Sequence, residues 1–214
     1  MILDVETPHG LARAHVHPVP RPKASLVLGH GAGGGIAAPD LVVASDVARE
    51  QGLSVALVEQ PYRVAGRRAP APAAQLDAAW TIVIAHLLAS EFSGVPLVVG
   101  GRSLGARVAC RTHAALRAVG VLCLAFPLTP PRRSGSAPAQ SRLSELDAVS
   151  APTLVVQGTR DPFGMPPAAA GRTVIEVAGN HSLRTGLSDV RAAVQAWLGA
   201  LVVDLAESPH HAVT

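Results

Sequence analysis

Short apolar runs alternate along the chain with longer stretches of helical periodicity, and Gly or Pro separates most of them. The runs are rich in Val, Leu and Ala and show little polar alternation, which is typical of strands buried on both faces of a parallel sheet. Strands are predicted at residues 24–30, 53–59, 95–101, 120–126, 151–158 and 172–179. Helices are predicted at residues 39–52, 73–90, 104–118 and 187–205.

This alternation predicts an α/β fold, a doubly wound, mostly parallel sheet flanked by helices, in a single domain over residues 1–214. Residues 1–23 are expected to form N-terminal strands or a hairpin. Residues 127–150, rich in Pro, Ser and Arg, are interpreted as a short insertion or small lid. Residues 206–214 are interpreted as a frayed tail. Sheets of this kind bind ligands at the carboxyl ends of their strands, so the loops that follow strands are the places to look for chemistry.

Composition narrows the class of protein. Hydrophobic residues make up 49% of the 214 residues and charged residues 15%, which indicates a globular chain and excludes a disordered one. Aromatic residues are only 3%, so the core must be aliphatic. The net charge of +3 comes almost wholly from arginines that are scattered apart from two Arg-Arg pairs, so no surface for nucleic acid is predicted.

The sequence also lacks the patterns of secreted and membrane proteins. The start, MILDVETPHG, has no basic region followed by a long apolar region, and no apolar segment reaches about 18 residues without charge, Gly or Pro. Cys110 and Cys123 have no metal-ligand spacing and are interpreted as buried, reduced thiols. We therefore expect a cytoplasmic protein that binds no membrane.

The stretch LVLGHGAGGG combines an apolar run with a glycine-rich loop. Gly29, Gly31 and Gly34 have the G-x-G-x-x-G spacing of a dinucleotide-binding loop, and Glu59 ends the next strand, where such a protein places its ribose-binding acid. In that fold the third glycine already lies in the helix, whereas here the residues GIAA come before Pro39 can begin one. The spacing therefore argues against a dinucleotide loop, and no cofactor is predicted.

The segment VVGGRSLGAR contains G-x-S-x-G between a Val-rich strand and a helix, with Ser103 at its centre. This context predicts a nucleophile elbow, a sharp strand-to-helix turn that exposes the serine hydroxyl. The turn brings its flanking residues close together, so they must be small, as Gly101, Gly105 and Ala106 are. The alternative is a structural Ser/Gly turn without chemistry.

A serine hydroxyl becomes a nucleophile when a base takes its proton and a third group orients that base. In this kind of fold the expected chain order is serine, acid, histidine. Asp161 in TRDPFG and His181 in AGNHSL follow two later strands, at the same edge of the sheet as Ser103. An Asp-Pro pair is more often a turn when taken alone. Its place relative to the other two residues favours a Ser103–His181–Asp161 triad.

The motifs LGHGAGGG, GGRSLGARVA, VVQGTRDPFG and GNHSL together resemble the α/β-hydrolase superfamily. VEQPYRVAGRRAP and LAFPLTPP further resemble a small dienelactone-hydrolase-like branch, which includes the hydrolase domain of the chromatin NSL-complex subunit and its bacterial relatives. The resemblance covers nearly the whole chain and implies a compact serine hydrolase with a minimal lid and with Ser103, Asp161 and His181 as its triad. In such an enzyme the backbone N–H groups of Leu104 and Ala32 form the oxyanion hole.

The surroundings of the triad leave the substrate open. Candidate pocket residues are Gly31, Gly33, Glu59, Tyr62, Arg102 and Phe163. Arginines near the pocket pair either with an acidic substrate or with acids of a surface ion-pair network. His15 and His17 alternate on a predicted strand but have no third ligand nearby, so no metal is expected.

The predicted function is hydrolysis of a small-molecule carboxylic ester, or of a related acyl bond, through an acyl-serine intermediate. The alternative is a catalytically weak scaffold of the same fold that binds a protein partner.

Overall fold

The computed structural model describes residues 1–130 and 140–207, which are built around one eight-stranded sheet. The strands are β1 (Ile2–Thr7), β2 (Gly10–His17), β3 (Ala24–Gly29), β4 (Leu53–Glu59), β5 (Leu97–Arg102), β6 (Gly120–Leu124), β7 (Thr153–Gly158) and β8 (Arg172–Val177). The helices are α1 (Pro39–Glu50), α2 (Pro61–Val64), α3 (Ala73–Ala89), α4 (Leu104–Thr112), α5 (Leu143–Asp147) and α6 (Leu187–Glu207).

The strand order in the sheet is β1-β2-β4-β3-β5-β6-β7-β8. β1 and β2 form an antiparallel hairpin, and β2 also runs antiparallel to β4. All neighbouring pairs from β4 to β8 are parallel. The predicted fold class is therefore confirmed, and the loops that follow β3, β5, β7 and β8 all lie at one edge of the sheet.

Apolar layers cover both faces of the sheet. On one face α3 and α4 pack with the fully buried rings of Trp80 and Phe92. On the other face α1 packs against α6, with Leu41 and Leu198 between them and the sheet. Because both faces are covered, β3 to β7 are buried at almost every position. This is why these strands read in the sequence as continuous apolar runs.

α4 is shorter than the predicted helix over 104–118 and ends at Thr112. The His113 ring caps this end, since its Nδ1 lies 2.7 Å from the carbonyl oxygen of Cys110, one of the carbonyls that a helix end leaves unpaired. The chain then turns back to the sheet, where the N–H of Val119 donates to the carbonyl oxygen of Leu97, the first residue of β5, at 2.8 Å.

α2 and α5 are not predicted from the sequence, because one helical turn is too short to show apolar periodicity. α5 lies within the predicted insertion at 127–150, of which residues 131–139 fall outside the described residues. α6 continues to Glu207, so the predicted tail at 206–214 begins inside a helix, and residues 208–214 are likewise outside the described part. None of the described helices is both long enough and apolar enough to cross a membrane.

Candidate active site

Ser103 lies between β5 and α4 on a strained turn. Its φ of 52° and ψ of −106° lie outside the regions that L-residues favour. The N–H of Ser103 donates to the carbonyl oxygen of Leu124 in β6 at 2.9 Å, which anchors the turn to the sheet. The serine side chain consequently faces an open cleft at the carboxyl edge of the sheet.

Three glycines allow this turn to pack. A Cβ at Gly101 or at Gly105 would overlap the carbonyl oxygen of Gly29. The ends of β3 and β5 and the start of α4 therefore meet with backbone against backbone. A Cβ on Gly29, the first glycine of LVLGHGAGGG, would itself lie 3.1 Å from Cα of Gly105, so this glycine also takes part in the tight contact at the serine turn.

Ser103, His181 and Asp161 form one hydrogen-bonded chain. Nε2 of His181 lies 2.9 Å from Oγ of Ser103, and Nδ1 lies 2.8 Å from Oδ2 of Asp161. Because an ionised carboxylate only accepts hydrogen bonds, Nδ1 carries the proton of the neutral imidazole and Nε2 can accept the serine proton. The side chain of Asp161 is 1% exposed and that of His181 is 20% exposed. The acid is thus sheltered from water, while the imidazole faces the cleft.

Two further donors hold the carboxylate of Asp161. The backbone N–H of Phe163 donates to Oδ1 at 2.9 Å, and the side-chain amide of Gln157 donates to Oδ2 at 2.9 Å. The Phe163 ring also packs against the His181 ring, with 4.4 Å between the centroids. Sequence reasoning missed Gln157, whose signal is an amide side chain near the end of the apolar strand TLVVQG.

The glycine-rich loop after β3 contacts the serine turn. A Cβ on Gly31 would lie 3.6 Å from Cβ of Ser103. Ala32 lines the cleft, and its carbonyl oxygen accepts a hydrogen bond from the Tyr62 hydroxyl at 2.9 Å. Within residues 1–130 and 140–207, neither the N–H of Ala32 nor that of Leu104 donates to another protein group.

The side chains of His30 and Tyr62 hold the glycine-rich loop in place through hydrogen bonds to its carbonyl oxygens. Nε2 of His30 accepts the backbone N–H of Gln60 at 3.1 Å, so Nδ1 carries the proton and donates to the carbonyl oxygen of Gly31 at 2.8 Å. Burial lowers the pKa of His30, in keeping with a neutral ring. Burial also raises the pKa of Tyr62 to about 12, so its hydroxyl stays protonated and can donate.

Arg102 joins three parts of the site. Its Nε lies 2.9 Å from Oδ2 of Asp40, in the first turn of α1, and its Nη2 donates to the carbonyl oxygen of His181 at 2.7 Å. Asp40 is fully buried, and burial raises the pKa of its carboxyl, while the charge of Arg102 opposes that rise. Of the two predicted roles for arginines near the site, the structure supports the ion-pair network for this one.

The cleft above Ser103 has a volume of about 590 Å³. Gly33, Arg102 and Phe163, three of the candidate pocket residues, line it. Arg184 lines it as well. Arg184 is not among the predicted pocket residues, and its signal in the sequence is its position three residues after His181.

Three predicted pocket residues, Gly31, Glu59 and Tyr62, are not among the residues that line this cleft. The carboxylate of Glu59 pairs with Nε2 of His15 at 2.8 Å, because β2 lies beside β4 and faces that side chain. Tyr62 lies behind the loop and reaches only the Ala32 carbonyl.

Cys110 and Cys123 are buried free thiols with 3.5 Å between their sulfur atoms. In the described part of the chain, no group of three or more His, Cys, Asp or Glu residues could hold a metal ion.

The family described as the alpha/beta hydrolase domain matches residues 22–193. A solved structure of XC6422 from Xanthomonas campestris, described as an α/β serine hydrolase without a lid, is 21% identical with a TM-score of 0.69, over 92% of this chain and 93% of that one. Est1E from Butyrivibrio proteoclasticus is 13% identical with a TM-score of 0.73, over 94% of this chain and 99% of that one. Mouse alpha/beta hydrolase domain-containing protein 10 is 11% identical with a TM-score of 0.66, over 96% and 99%. These structures share the fold, and no curated protein sequence matches the chain.

Proposed function

The chain belongs to the family of α/β hydrolase domains, and from this membership and the geometry of its site we propose that it is a serine hydrolase. Its substrate is a small molecule with a carboxylic ester or a related acyl bond, which is cleaved through an acyl-serine intermediate. The observation that carries the proposal is the hydrogen-bonded chain from Ser103 through His181 to Asp161. That order of nucleophile, base and orienting acid is what acyl transfer to serine requires.

The first half-reaction forms the acyl-serine. Nε2 of His181 takes the hydroxyl proton of Ser103 while Oγ bonds to the substrate carbonyl carbon. The imidazolium keeps its Nδ1–H on Asp161, whose negative charge stabilises it. The tetrahedral intermediate then expels the alcohol, which receives the proton from Nε2.

The second half-reaction regenerates the enzyme. Nε2 of His181 takes a proton from water, whose oxygen attacks the acyl carbon. The second tetrahedral intermediate collapses by breaking the bond to Oγ, and Oγ recovers its proton from the imidazolium. The carboxylic acid leaves the cleft.

The backbone N–H groups of Leu104 and Ala32 are our proposed oxyanion hole. Both lack a protein acceptor within the described residues, and Ala32 lines the cleft beside Ser103. Each such donor contributes about 3–4 kcal/mol to the transition state of comparable reactions. The absence of side chains at Gly31 and Gly33 supports this assignment, since it lets the backbone approach the substrate carbonyl.

A fluorophosphonate probe tests the proposal, because it reacts with an activated serine and needs no knowledge of the natural substrate. We expect the wild-type protein to be labelled at neutral pH and to hydrolyse short p-nitrophenyl esters. Ser103→Ala should abolish both activities. The matched control is Ser188→Ala, which removes an exposed hydroxyl at the start of α6 and should leave labelling unchanged.

A folded wild-type protein that is neither labelled nor active on any ester or thioester of a chain-length panel would contradict the proposal. That result would favour the alternative scaffold that binds a protein partner. Circular dichroism of each variant establishes that it is folded.

A further inference from the structure

Gln157 is a buried amide near the end of an apolar strand. Every position of β7 is buried, and Gln157 is 0% exposed. Its Nε2 donates to Oδ2 of Asp161 at 2.9 Å. The same nitrogen lies 2.9 Å from the carbonyl oxygen of Gly164 and 3.0 Å from that of Phe126, so its two hydrogens are shared among three acceptors. One amide therefore joins the acid, the loop after the acid and the segment that follows β6.

Packing alone does not account for a glutamine at this position. Its Oε1 is buried and has no hydrogen-bond partner among the described residues, and burial of an unpaired carbonyl oxygen is destabilising. A leucine of similar size would fill the space without that loss. The advantage of the glutamine must come from its two side-chain N–H groups, whose acceptors are the Asp161 carboxylate and the carbonyl oxygens of Gly164 and Phe126.

We propose that Gln157 is a positioning residue that holds Asp161 in the orientation that receives the His181 Nδ1–H; this inference rests on the proposed function. Oδ2 of Asp161 accepts hydrogen bonds from both Gln157 and His181, and Oδ1 accepts one from the Phe163 N–H. Without Gln157, Oδ2 keeps only the histidine as donor, and the carboxylate can rotate about its Cβ–Cγ bond. A rotated carboxylate no longer orients the imidazole, so Ser103 loses a correctly placed base.

The same amide also steadies the histidine through the loop. Its bond to the Gly164 carbonyl anchors the segment that carries Phe163, whose ring packs on the His181 ring. Gln157 thus acts on the base by two routes, and it reaches neither the serine nor the cleft. A positioning residue of this kind changes kcat and leaves KM almost unchanged.

The first experiment compares Gln157→Leu with Thr153→Val in steady-state ester hydrolysis. We expect Gln157→Leu to lower kcat by about 10- to 100-fold and to change KM by less than about twofold. Thr153 is buried at the other end of β7, where its hydroxyl donates to the Ala151 carbonyl at 2.9 Å. Its variant loses a buried hydrogen bond of the same strand away from the site, and its kcat should not change. An unchanged kcat in Gln157→Leu, or an equal loss in Thr153→Val, would overturn the proposal.

A double-mutant cycle with Asp161→Asn shows whether the effect passes through the acid. If Gln157 acts by orienting Asp161, then Gln157→Leu lowers kcat by less than about twofold in the Asp161→Asn background. A full additional loss in that background means that Gln157 acts on something else, which contradicts the assignment.

Gln157→Glu adds a pH signature that a packing role does not produce. The introduced carboxyl can donate one hydrogen bond to Asp161 when protonated and none when ionised. We therefore expect kcat of this variant, divided by wild-type kcat at the same pH, to rise as the pH falls from 8 to 6. A ratio independent of pH would count against the proposal.

Proton NMR separates a failure of this inference from a failure of the proposed function. The proton on His181 Nδ1 gives a downfield signal without any substrate, and His181→Gln identifies it by removing it. We expect Gln157→Leu to shift or broaden this signal and Thr153→Val to leave it in place. If the wild type hydrolyses no ester and the signal still changes in Gln157→Leu, the function fails and the positioning role stands. An unmoved signal overturns the positioning role.

Discussion

The backbone at Ser103 is held in a conformation that costs about 1–3 kcal/mol for a residue with a side chain. Its φ is 52°, and the surrounding contacts keep it there. Those contacts are the β6 hydrogen bond to its N–H and the glycine packing at Gly29, Gly101 and Gly105. The position of the Ser103 Oγ therefore depends on the lack of a side chain at these glycines as well as on the hydrogen bond to β6.

Gly105→Ala tests this dependence. Its Cβ would overlap the backbone carbonyl of Gly29, and backbone at the end of a buried strand cannot move away. We expect a loss of about 3 kcal/mol or more in the free energy of unfolding, measured by urea denaturation. Gly34→Ala is the control, because a Cβ there has no atom within 4 Å, and its stability should change by less than about 1 kcal/mol. Equal stabilities of the two variants would show that the glycine contact is not tight.

At the scale of elements, Arg102 and Asp40 connect pieces that are far apart in the sequence. Asp40 belongs to the first turn of α1 and Arg102 ends β5, while the carbonyl that Arg102 also contacts belongs to the loop after β8. The ion pair is partly to fully buried, and one partner left alone in such a place is strongly destabilising. The histidine loop is thus tied to α1 through the residue that precedes the serine.

Arg102→Met removes the cation and leaves the Asp40 carboxylate buried without its partner. We expect a loss of about 3–5 kcal/mol in the free energy of unfolding at neutral pH. The double variant Asp40→Asn with Arg102→Met should recover most of it, because neither charge remains. Denaturant titrations of the two variants and the wild type provide the measurement.

The loss in the free energy of unfolding that we expect for Arg102→Met should also depend on pH. Burial already raises the pKa of the Asp40 carboxyl, and removal of the cation raises it further. The folded variant then binds a proton more readily than the unfolded chain, so its stability increases as the pH falls through that raised pKa. The deficit relative to the wild type is expected to shrink towards acidic pH. A deficit that stays constant or grows would refute the buried ion pair as its cause.

Most of the longer elements could be predicted from the sequence, and so could the juxtaposition of Ser103, Asp161 and His181. Each of these residues follows an apolar strand, and parallel strands bring such loops to one edge. The side-chain partners of the residues around the site could not be predicted from the sequence. Glu59 is the last residue of β4, and Ser103 directly follows β5, so the two positions look alike in the sequence. The Glu59 side chain nevertheless pairs with His15, because the antiparallel β2 lies beside β4. Hydrophobic periodicity does not reveal which strand is the neighbour. Gln157 and Asp40 stood in apolar or helical patterns that carry no motif, and their roles depend on contacts with distant segments.

At the scale of the whole molecule, residues 1–130 and 140–207 form one sheet with α helices on both faces and an antiparallel hairpin at one edge. Val5, Ala12 and Val16 of this hairpin belong to the same apolar layer as α3 and α4. We propose from this shared core that the hairpin, the central strands and the site belong to a single domain and unfold together.

Differential scanning calorimetry checks this inference. We expect one transition, with a van't Hoff enthalpy equal to the calorimetric enthalpy, as a cooperative single domain requires. Val16→Ala, which removes buried volume from the hairpin, should lower the temperature of the whole transition. A separate early transition in that variant would instead mark the hairpin as an independent unit.

The contact among Gly29, Gly101 and Gly105 also limits how this chain can evolve. A loss in ordinary core packing is often repaired by a second substitution that makes a neighbouring side chain smaller. For Gly101 and Gly105 the neighbour of an added Cβ is the backbone carbonyl of Gly29, and no substitution makes a carbonyl smaller. Mutations at these two glycines therefore have no compensating partner. A descendant of this chain keeps both glycines or gives up the turn that presents Ser103.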